Sequence, residues 1–270
     1  MSNVHVITGG SSGIGLECAK LFKEGIVVIA GRTEEKLKNA CEILRNKGVD
    51  AKYHSTDVSN KENVKELIDY AKELGNLKTV VHAAGVSGAV GDVMKTLKID
   101  LLGTYNVIEE TYNSIGNNTS VILIASMMGH MVPPNKEHDE ALRNPEREGS
   151  LEKIAEILDG DADTAYNYAK HGVQLLAKLN ATRFGKKGGR ILSVSPGIIM
   201  TEMAKKASED HPEQMEYMKS ITPVGKNGEP EEVSELVYFL TSDKASFITG
   251  TDILVDGGLT LNLQKQDQKQ

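Results

Sequence analysis

Two tyrosines precede one lysine in the segment TAYNYAKHG, residues 164–172. Tyr166 is four residues before Lys170, and in a helix this spacing places both side chains on one face. Tyr168 is only two residues away, so it points to another face and is predicted to pack or to form a substrate wall. A free phenol is a weak acid near neutral pH, and a nearby ammonium group stabilises its phenolate. The Tyr166–Lys170 pair is therefore predicted to exchange a proton with an alcohol or carbonyl oxygen.

A glycine-rich stretch, TGGSSGIG at residues 8–15, follows an apolar segment and precedes the helix-like segment GLECAKLFKEG. Glycines permit a tight turn and close approach of the backbone to a pyrophosphate, and a helix N-terminus offers free N–H groups to an anion. A glycine cluster alone could be an ordinary turn, but its place between a strand and a helix predicts dinucleotide binding. The residues assigned to this role are Gly9, Ser11, Ser12, Gly13, Ile14 and Gly15.

The second apolar segment ends in Gly31-Arg32-Thr33. An acidic side chain near this position would accept hydrogen bonds from the adenosine ribose of NAD, whereas an arginine favours the extra phosphate of NADP. Arg32 and Thr33 therefore predict a preference for NADP(H), with NAD(H) as a possible second cofactor. The alternative is an exposed arginine that merely opens a charged helix.

Seven short apolar, β-branched segments recur along the chain and are predicted to be strands. They cover residues 4–8, 26–31, 51–58, 79–85, 120–126, 190–196 and 252–258. Amphipathic stretches separate them, and one of these has Ser59 or Asn60 placed as a helix cap. Strands that are almost entirely apolar indicate burial on both faces, so the pattern predicts a doubly wound α/β (Rossmann) fold with a parallel seven-stranded sheet between helices. Residues 1–262 are predicted to form a single domain, and residues 263–270 a flexible tail.

The composition excludes several classes of function. The formal net charge of −7 argues against nucleic-acid binding, which needs a clustered cationic surface. No apolar run is long enough to span a membrane, and the N-terminal MSNVHVITGG leaves no room for a signal peptide, so a cytoplasmic protein is expected. Cys18 and Cys41 lack metal-ligand spacing, which predicts two reduced thiols and no metal site. A small molecule is the expected partner.

The glycine stretch and the Tyr166–Lys170 pair together resemble the short-chain dehydrogenase/reductase family over residues 4–260. The resemblance implies that Ser126, after the fifth strand, holds the substrate oxygen and that Lys170 also binds the nicotinamide ribose. It implies that Tyr166 handles the proton while hydride passes between the nicotinamide and the substrate carbon. It also implies a homotetramer or homodimer. The other cofactor-binding positions implied by the family pattern are Asp57, Val58, Ala84, Gly85, Pro196, Gly197, Ile199 and Thr201.

Two positions depart from the family pattern. The family's Asn-Asn-Ala-Gly is replaced by residues 82–85, which begin with His82. A lone histidine on a strand is usually a structural core residue, and this role is predicted for His82. The helix asparagine that belongs to a proton relay in the family is Asp100 here, in KIDLLGTYN. A carboxylate cannot donate a hydrogen bond as an amide does, so Asp100 is assigned either to a rewired relay or to a structural task.

These features predict an oxidoreductase that transfers a hydride between NADP(H) and a secondary alcohol or its ketone. The alternatives are an NAD-dependent alcohol dehydrogenase and a catalytically silent regulatory or structural protein that binds NAD(P). An enoyl reductase would, by the family pattern, need a tyrosine at the position of Thr164. A set of apolar residues predicts either ordinary packing or a mobile lid over a bulky hydrophobic carbonyl such as a hydroxysteroid. These residues are Ile198, Ile199, Met200, Met203, Met215 and Met218.

An insertion separates Ser126 from Tyr166, because the family brings these two residues together with far fewer intervening positions. It covers residues 133–163 and contains ten acidic and four basic side chains. Within it, Leu151, Ile154, Ile157 and Leu158 fall at helical spacing, which predicts one short helix that docks an apolar stripe. Both ends lie beside predicted catalytic residues. The insertion is therefore expected to form a specificity wall at the pocket rim or a subunit contact, rather than a passive decoration.

Overall fold

The computed structural model describes residues 2–87, 91–116, 118–202, 204–205, 208 and 212–267. Seven strands form one sheet in the order β3-β2-β1-β4-β5-β6-β7, and every neighbouring pair is parallel. The strands are β1 (Asn3–Thr8), β2 (Ile26–Gly31), β3 (Asp50–Ser55), β4 (Asn76–His82), β5 (Ser120–Ile124), β6 (Arg190–Pro196) and β7 (Asp252–Val255). The predicted doubly wound parallel sheet is confirmed.

Helices connect the strands. They are α1 (Gly13–Leu21), α2 (Glu34–Asn46), α3 (Lys61–Leu74), α4 (Val93–Thr96), α5 (Gly103–Ser114), α6 (Lys136–Arg143), α7 (Ser150–Ile157), α8 (Ala162–Lys186), α9 (Pro212–Ile221), α10 (Pro230–Thr241) and α11 (Leu259–Asp267). A π-helical turn, Leu97–Leu102, joins α4 to α5, and short 3₁₀ turns cover Met127–Met131 and Asp243–Ala245. The cap of α3 is Asn60 rather than Ser59, because its side chain accepts hydrogen bonds from the backbone of Glu62 and Asn63.

The core consists of two apolar layers, one on each face of the sheet. One layer packs α3, α5 and α8 against the strands, and the other packs α1, α2 and α10. Successive strand residues alternate between the layers, as Val28 joins the first and Ile29 the second. Burial of both faces explains why the inner strand β2 is entirely apolar, whereas the edge strand β3 is partly exposed and carries polar residues.

The strand order reverses at β1, which lies between β2 and β4. The connections on its two sides therefore run in opposite directions, and their loops separate at the carboxyl end of β1. Such a switch point leaves a crevice in a doubly wound sheet. This position places the glycine stretch that follows β1 opposite the segment that follows β4.

Several chain segments differ from the sequence prediction. Strand β4 lies three residues earlier than the predicted residues 79–85, and β5 and β7 end at Ile124 and Val255 instead of residues 126 and 258. The third strand ends at Ser55 instead of residue 58, because the Thr56 N–H makes the last sheet-edge hydrogen bond, 2.8 Å from the Gly31 carbonyl oxygen. The tail, predicted to be flexible from residue 263, is helical as far as Asp267. There the Asn262 amide donates to the Ile221 carbonyl, 2.8 Å away, which ties α11 to α9. Residues 268–270 of the predicted tail lie outside the described residues.

The insertion forms two short helices, α6 and α7, where the sequence predicted one. The predicted helix is confirmed as α7, and its Leu151 and Ile154 are buried in the core layer that includes α8. The additional helix α6 is capped by the Asn135 side chain and buries Ala141 and Leu142. Two apolar residues among eight positions are too few for a recognisable helical pattern, and for this reason α6 escaped prediction.

Candidate active site

A cleft of about 670 Å³ opens at the switch point, between the glycine stretch and the carboxyl ends of β2, β4, β5 and β6. Among the predicted catalytic residues, Ser126, Tyr166 and Lys170 line it. Asp100 is not part of the lining and lies behind Lys170. The predicted cofactor-binding residues that line the cleft are Gly9, Ser11, Ser12, Gly13, Ile14, Gly15, Arg32, Thr33, Asp57, Val58, Ala84, Gly85, Tyr166, Lys170, Pro196, Gly197, Ile199 and Thr201. The structure thus brings all of these positions to one cleft.

The glycine stretch can accept a pyrophosphate at the start of α1. Gly9 has φ of +68°, and a Cβ there would lie 2.7 Å from the backbone of Ala83. A Cβ on Gly15 would collide with the Gly9 carbonyl oxygen. The cap residue Ser12 makes no side-chain hydrogen bond to the helix backbone, so the first N–H groups of α1 are left for a ligand. These features fit the phosphates of a dinucleotide.

The end of the cleft next to β2 carries groups suited to an adenosine. Arg32 and Thr33 are exposed at the end of β2 and line the cleft together with Lys36, which the sequence analysis missed. Lys36 lies on the first turn of α2, four residues after Arg32. This spacing was the signal in the sequence that could have identified Lys36 as a second cation beside Arg32. Asp57 Oδ1 accepts hydrogen bonds from the Ser59 N–H (3.0 Å) and hydroxyl (2.7 Å), which fixes the carboxylate at the cleft rim.

The long helix α8 presents Tyr166 and Lys170 to the cleft on one face. Asp161 caps this helix, and the Lys170 Nζ lies 5.5 Å from the centroid of the Tyr166 ring. Tyr168 points away from the cleft and is buried, with its hydroxyl 3.0 Å from Nδ1 of His138 on α6. The helical spacing thus assigned the two tyrosines to different faces correctly, and the second tyrosine packs against the insertion.

Asp100 lies on the π-helical turn and contacts Lys170. Its Oδ2 is 3.0 Å from the Lys170 Nζ, and its Oδ1 accepts a 2.8 Å hydrogen bond from the Val86 N–H. Burial raises the pKa of the Asp100 carboxyl, an effect that the Lys170 charge opposes. Burial alone would lower the pKa of Lys170, but the negative charges of Asp100 and Tyr166 outweigh it and the pKa is raised. Because the ammonium lies only 3.0 Å from Oδ2, Asp100 and Lys170 are assigned as an ionised pair.

His82 braces the sheet below this pair. Its Nδ1 lies 2.7 Å from the Thr8 hydroxyl and its Nε2 3.0 Å from the Thr104 hydroxyl, while Thr104 donates to the backbone carbonyl of Asp100 at 2.6 Å. Burial, with a smaller contribution from the Lys170 charge, lowers the pKa of His82 to about 3. The imidazole is therefore neutral at physiological pH and has the structural role that the sequence predicted. Thr104 contacts both His82 and the backbone of Asp100, so the two residues that depart from the family pattern belong to one hydrogen-bond network.

The backbone of Ser126 is held by residues that the sequence analysis missed. Ser126 caps the 3₁₀ turn, and its carbonyl oxygen accepts a 3.2 Å hydrogen bond from the Gln174 side chain. The same amide nitrogen donates to the Ser195 hydroxyl at 2.9 Å, and this hydroxyl is 2.9 Å from Asp252 Oδ1. His130 Nε2 lies 2.8 Å from the other carboxylate oxygen of Asp252. These residues come from separate segments and form no local motif, so the sequence carried no signal for the network.

Neither the insertion nor helix α9 contributes a side chain to the cleft among the described residues. The insertion packs on α8 instead. None of its described residues lines the cleft, as a wall at the pocket rim would. Helix α9 buries none of its residues, and its Met215 and Met218 are half-buried. Ile198 and Ile199 line the cleft, whereas Met203 lies outside the described residues.

Within the described part of the chain, no group of three or more His, Cys, Asp or Glu side chains could hold a metal ion. None of the helices described is long and apolar enough to cross a membrane. Cys18 and Cys41 are both buried and free.

Comparison with known proteins decides the family. The family profile described as "short chain dehydrogenase" matches residues 3–138, and the profile described as "Enoyl-(Acyl carrier protein) reductase" matches residues 151–260. The chain belongs to the short-chain dehydrogenase/reductase family. It is 30% identical to an uncharacterized oxidoreductase of Bacillus subtilis over 94% of this chain and 89% of that protein. It is also 30% identical to 7alpha-hydroxysteroid dehydrogenase of Bacteroides fragilis, over 97% and 95% of the two chains.

Other members of the family differ in their substrates. L-rhamnose 1-dehydrogenase (NAD(P)(+)) of a Sphingomonas strain is 27% identical over 96% of each chain. The crystal structure of a variant of actinorhodin polyketide ketoreductase with NADPH has a TM-score of 0.78 and 25% identity, and covers 96% of this chain and 97% of that one. This short-chain dehydrogenase/reductase is therefore an NAD(P)-dependent oxidoreductase that acts on CH–OH groups, on a single-domain Rossmann fold.

Proposed function

We propose that this enzyme interconverts a secondary alcohol and its ketone with NADP(H). The observation that carries the proposal is the arrangement of Ser126, Tyr166 and Lys170 around one cleft, with the tyrosine and the lysine on the same face of α8. This arrangement supplies a hydroxyl to hold a substrate oxygen and a phenol–ammonium pair to move its proton.

The chain's own residues would handle the oxygen and the proton. When bound, the nicotinamide supplies the hydride for reduction or accepts it in oxidation. In reduction, the hydroxyls of Ser126 and Tyr166 donate hydrogen bonds to the ketone oxygen, and Tyr166 then gives up its proton to form the alcohol. The Lys170 ammonium stabilises the phenolate that remains. Oxidation reverses these steps, so that the phenolate accepts the alcohol proton.

The preference for NADP(H) over NAD(H) is supported by two cations at the end of the cleft next to β2. Arg32 and Lys36 line this end, and Arg32 makes no ion pair or hydrogen bond with any of the residues described. A guanidinium with free donors suits the extra phosphate of NADP. The acidic residue that would bind the ribose of NAD is replaced by this arginine.

A bulky hydrophobic carbonyl, such as a hydroxysteroid, is proposed as the substrate. Ile198 and Ile199 line the cleft, and the chain beyond them leads to α9, whose half-buried methionines could close over an apolar ligand. One relative at 30% identity is a hydroxysteroid dehydrogenase by name. Another relative is named for a sugar, so the substrate proposal rests on the apolar residues rather than on family membership.

An enoyl reductase activity is not favoured. The position six residues before Lys170 is Thr164, whose hydroxyl donates to Asp161 at 2.6 Å at the start of α8. The cleft-lining phenol is Tyr166.

We also propose that the enzyme forms a homodimer or homotetramer in the cytoplasm. Strand β7 is the last strand in the sheet order, and its Leu254 is exposed, as is Phe247 in the segment that precedes β7 in the chain. Exposed apolar side chains beside an unpaired strand edge are typical of an interface between copies of a chain. The two buried free thiols fit a reducing compartment.

A panel of steroid, bile-acid, sugar and acyl-chain carbonyls tests the proposed function. Each compound is mixed with the enzyme and either NADPH or NADH, and the nicotinamide absorbance is followed. Oxidation of NADPH with a bulky hydrophobic ketone is the expected result. A preference for small hydrophilic carbonyls would overturn the substrate proposal. Tight cofactor binding without turnover of any compound would favour a catalytically silent protein instead.

A further inference from the structure

Asp100 is the negative charge in contact with the lysine of the active site. Its side chain is completely buried, and one of its oxygens lies 3.0 Å from the Lys170 Nζ. The backbone of Gly85 covers this pair, since a Cβ there would lie 3.1 Å from the Lys170 Nζ and 3.3 Å from both carboxylate oxygens of Asp100. The Val86 N–H holds the other oxygen at 2.8 Å. The carboxylate is therefore fixed against the lysine and shielded from water.

The remaining groups that face Lys170 do not alter this balance of charge. Its own helix contributes Tyr166, the π-helical turn contributes Asp100, and β4 contributes His82. His82 is neutral, because burial and the lysine charge lower its pKa to about 3. Around the described cleft, the ammonium is thus compensated by one carboxylate.

We propose that Asp100 is a positioning residue that fixes the Lys170 ammonium and cancels its charge, so that alcohol oxidation by this enzyme requires a higher pH than it would with an amide at position 100. The inference rests on the proposed function, in which a Tyr166 phenolate accepts the alcohol proton. A neutralised lysine stabilises that phenolate less than a free ammonium does.

The isosteric variant Asp100→Asn removes the compensating charge and keeps the shape of the side chain. Its alcohol-oxidation activity is expected to persist, with the rising limb of kcat against pH displaced by about one pH unit toward acid, as expected for an uncompensated charge within a few ångströms. Asp100→Glu keeps the charge and is expected to retain the wild-type limb. The matched control is Asp69→Asn, which removes an exposed carboxylate from α3 and is expected to leave the profile unchanged.

A second measurement does not depend on turnover. Ultraviolet difference spectroscopy of the protein without substrate follows phenolate formation with pH, and subtraction of the Tyr166→Phe titration isolates the signal of Tyr166. In Asp100→Asn, this phenolate is expected to form at a lower pH than in the wild type. If Asp100→Asn did not fold, Asp100→Ser would provide the same comparison.

The two measurements distinguish a failure of this inference from a failure of the proposed function. Superimposable phenolate titrations of the wild type and Asp100→Asn would overturn the inference, whether or not a substrate is found. The inference would also be overturned if the kcat profiles of the wild type and Asp100→Asn coincided, or if the rising limb of the variant moved to higher pH. A titration that shifts in a protein that turns over no carbonyl would support the electrostatic role of Asp100 and overturn the proposed function instead.

Discussion

The Tyr168 hydroxyl and the His138 Nδ1 lie 3.0 Å apart and link the helix that carries Tyr166 to the insertion. Tyr168 is buried in the core layer to which α6 and α7 contribute. The two tyrosines of TAYNYAKHG therefore face opposite ways, one toward the cleft and one toward the insertion. The insertion thus contacts the back of the helix whose other face carries Tyr166 and Lys170.

Replacing each tyrosine with phenylalanine tests this division of roles. Tyr166→Phe removes the proposed proton donor, so kcat is expected to fall by roughly two to four orders of magnitude while NADPH affinity is kept. Tyr168→Phe removes one hydrogen bond, so turnover is expected to persist while the free energy of unfolding falls by about 1 kcal/mol. Steady-state kinetics, NADPH titration and denaturant unfolding measure these effects. Equal losses of turnover in both variants would show that the assignment is wrong.

Removing the insertion tests whether it influences catalysis. Replacing residues 136–160 with a short glycine linker leaves the described cleft lining intact, so NADPH binding is expected to persist. The deletion strips the apolar side chains of α6 and α7 from the back of α8, so lower thermal stability and altered kcat/KM for substrate are expected. Calorimetric NADPH titration, a thermal melt and kinetics on each accepted substrate are the measurements.

Two point variants refine this test. His138→Ala breaks only the contact to Tyr168, and a smaller change in kinetics is expected from it. Ile154→Ala opens a cavity at a core residue that is 1% exposed, and it should cost about 2–5 kcal/mol without loss of the cofactor site. Wild-type kinetics for every substrate and an unchanged oligomeric state in the deletion variant would identify the insertion as a passive decoration.

The sequence predicted the parts of the fold that depend on local patterns. Strands β2 and β6 have the predicted bounds, because β2 is a continuous apolar run that ends at a glycine and β6 ends at a proline. The glycine stretch was recognisable because its function requires those residue types between a strand and a helix. The helical spacing of Tyr166 and Lys170 likewise needs only the sequence and the geometry of a helix.

Contacts between distant segments could not be predicted in this way. The hydrogen bond of Gln174 to Ser195 and the ion pair of Asp100 with Lys170 join residues far apart in the chain, and neither residue type marks its partner. Helix α6 is also held by polar contacts with distant segments, such as that of Asp139 Oδ1 with His171 Nε2 at 3.1 Å.

Charge removal at the β2 end of the cleft tests the cofactor preference. Arg32→Ala and Lys36→Ala each delete a cation that lines the cleft, and each is expected to weaken NADPH binding by about ten- to a hundredfold, the range for loss of a charge-assisted hydrogen bond. NADH binding should hardly change. Lys38→Ala is the matched control, because Lys38 lies on the same helix but pairs with Glu34 at 2.9 Å and does not line the cleft. A wild type that binds NADH more tightly than NADPH would refute the preference.

Two buried histidines are expected to make the fold sensitive to acid. Burial lowers the pKa of His82 to about 3 and that of His5 to about 4, while in the unfolded chain both titrate near the ordinary value of 6.5. Between pH 6.5 and 4 the unfolded state therefore binds more protons than the folded state, so stability rises with pH and falls on acidification. Each histidine is expected to contribute a loss of about 1.4 kcal/mol per pH unit in this window.

Urea unfolding at several pH values between 4 and 7 measures this slope. His82→Asn places an amide that cannot titrate at the buried position, so the variant is expected to lose about half of the histidine contribution to the slope. A wild-type stability that did not change over this range, or a His82→Asn slope equal to that of the wild type, would contradict a neutral buried His82. A lower stability of His82→Asn at pH 7, with the slope reduced, would still agree with the prediction, because the variant also alters the hydrogen bonds to Thr8 and Thr104.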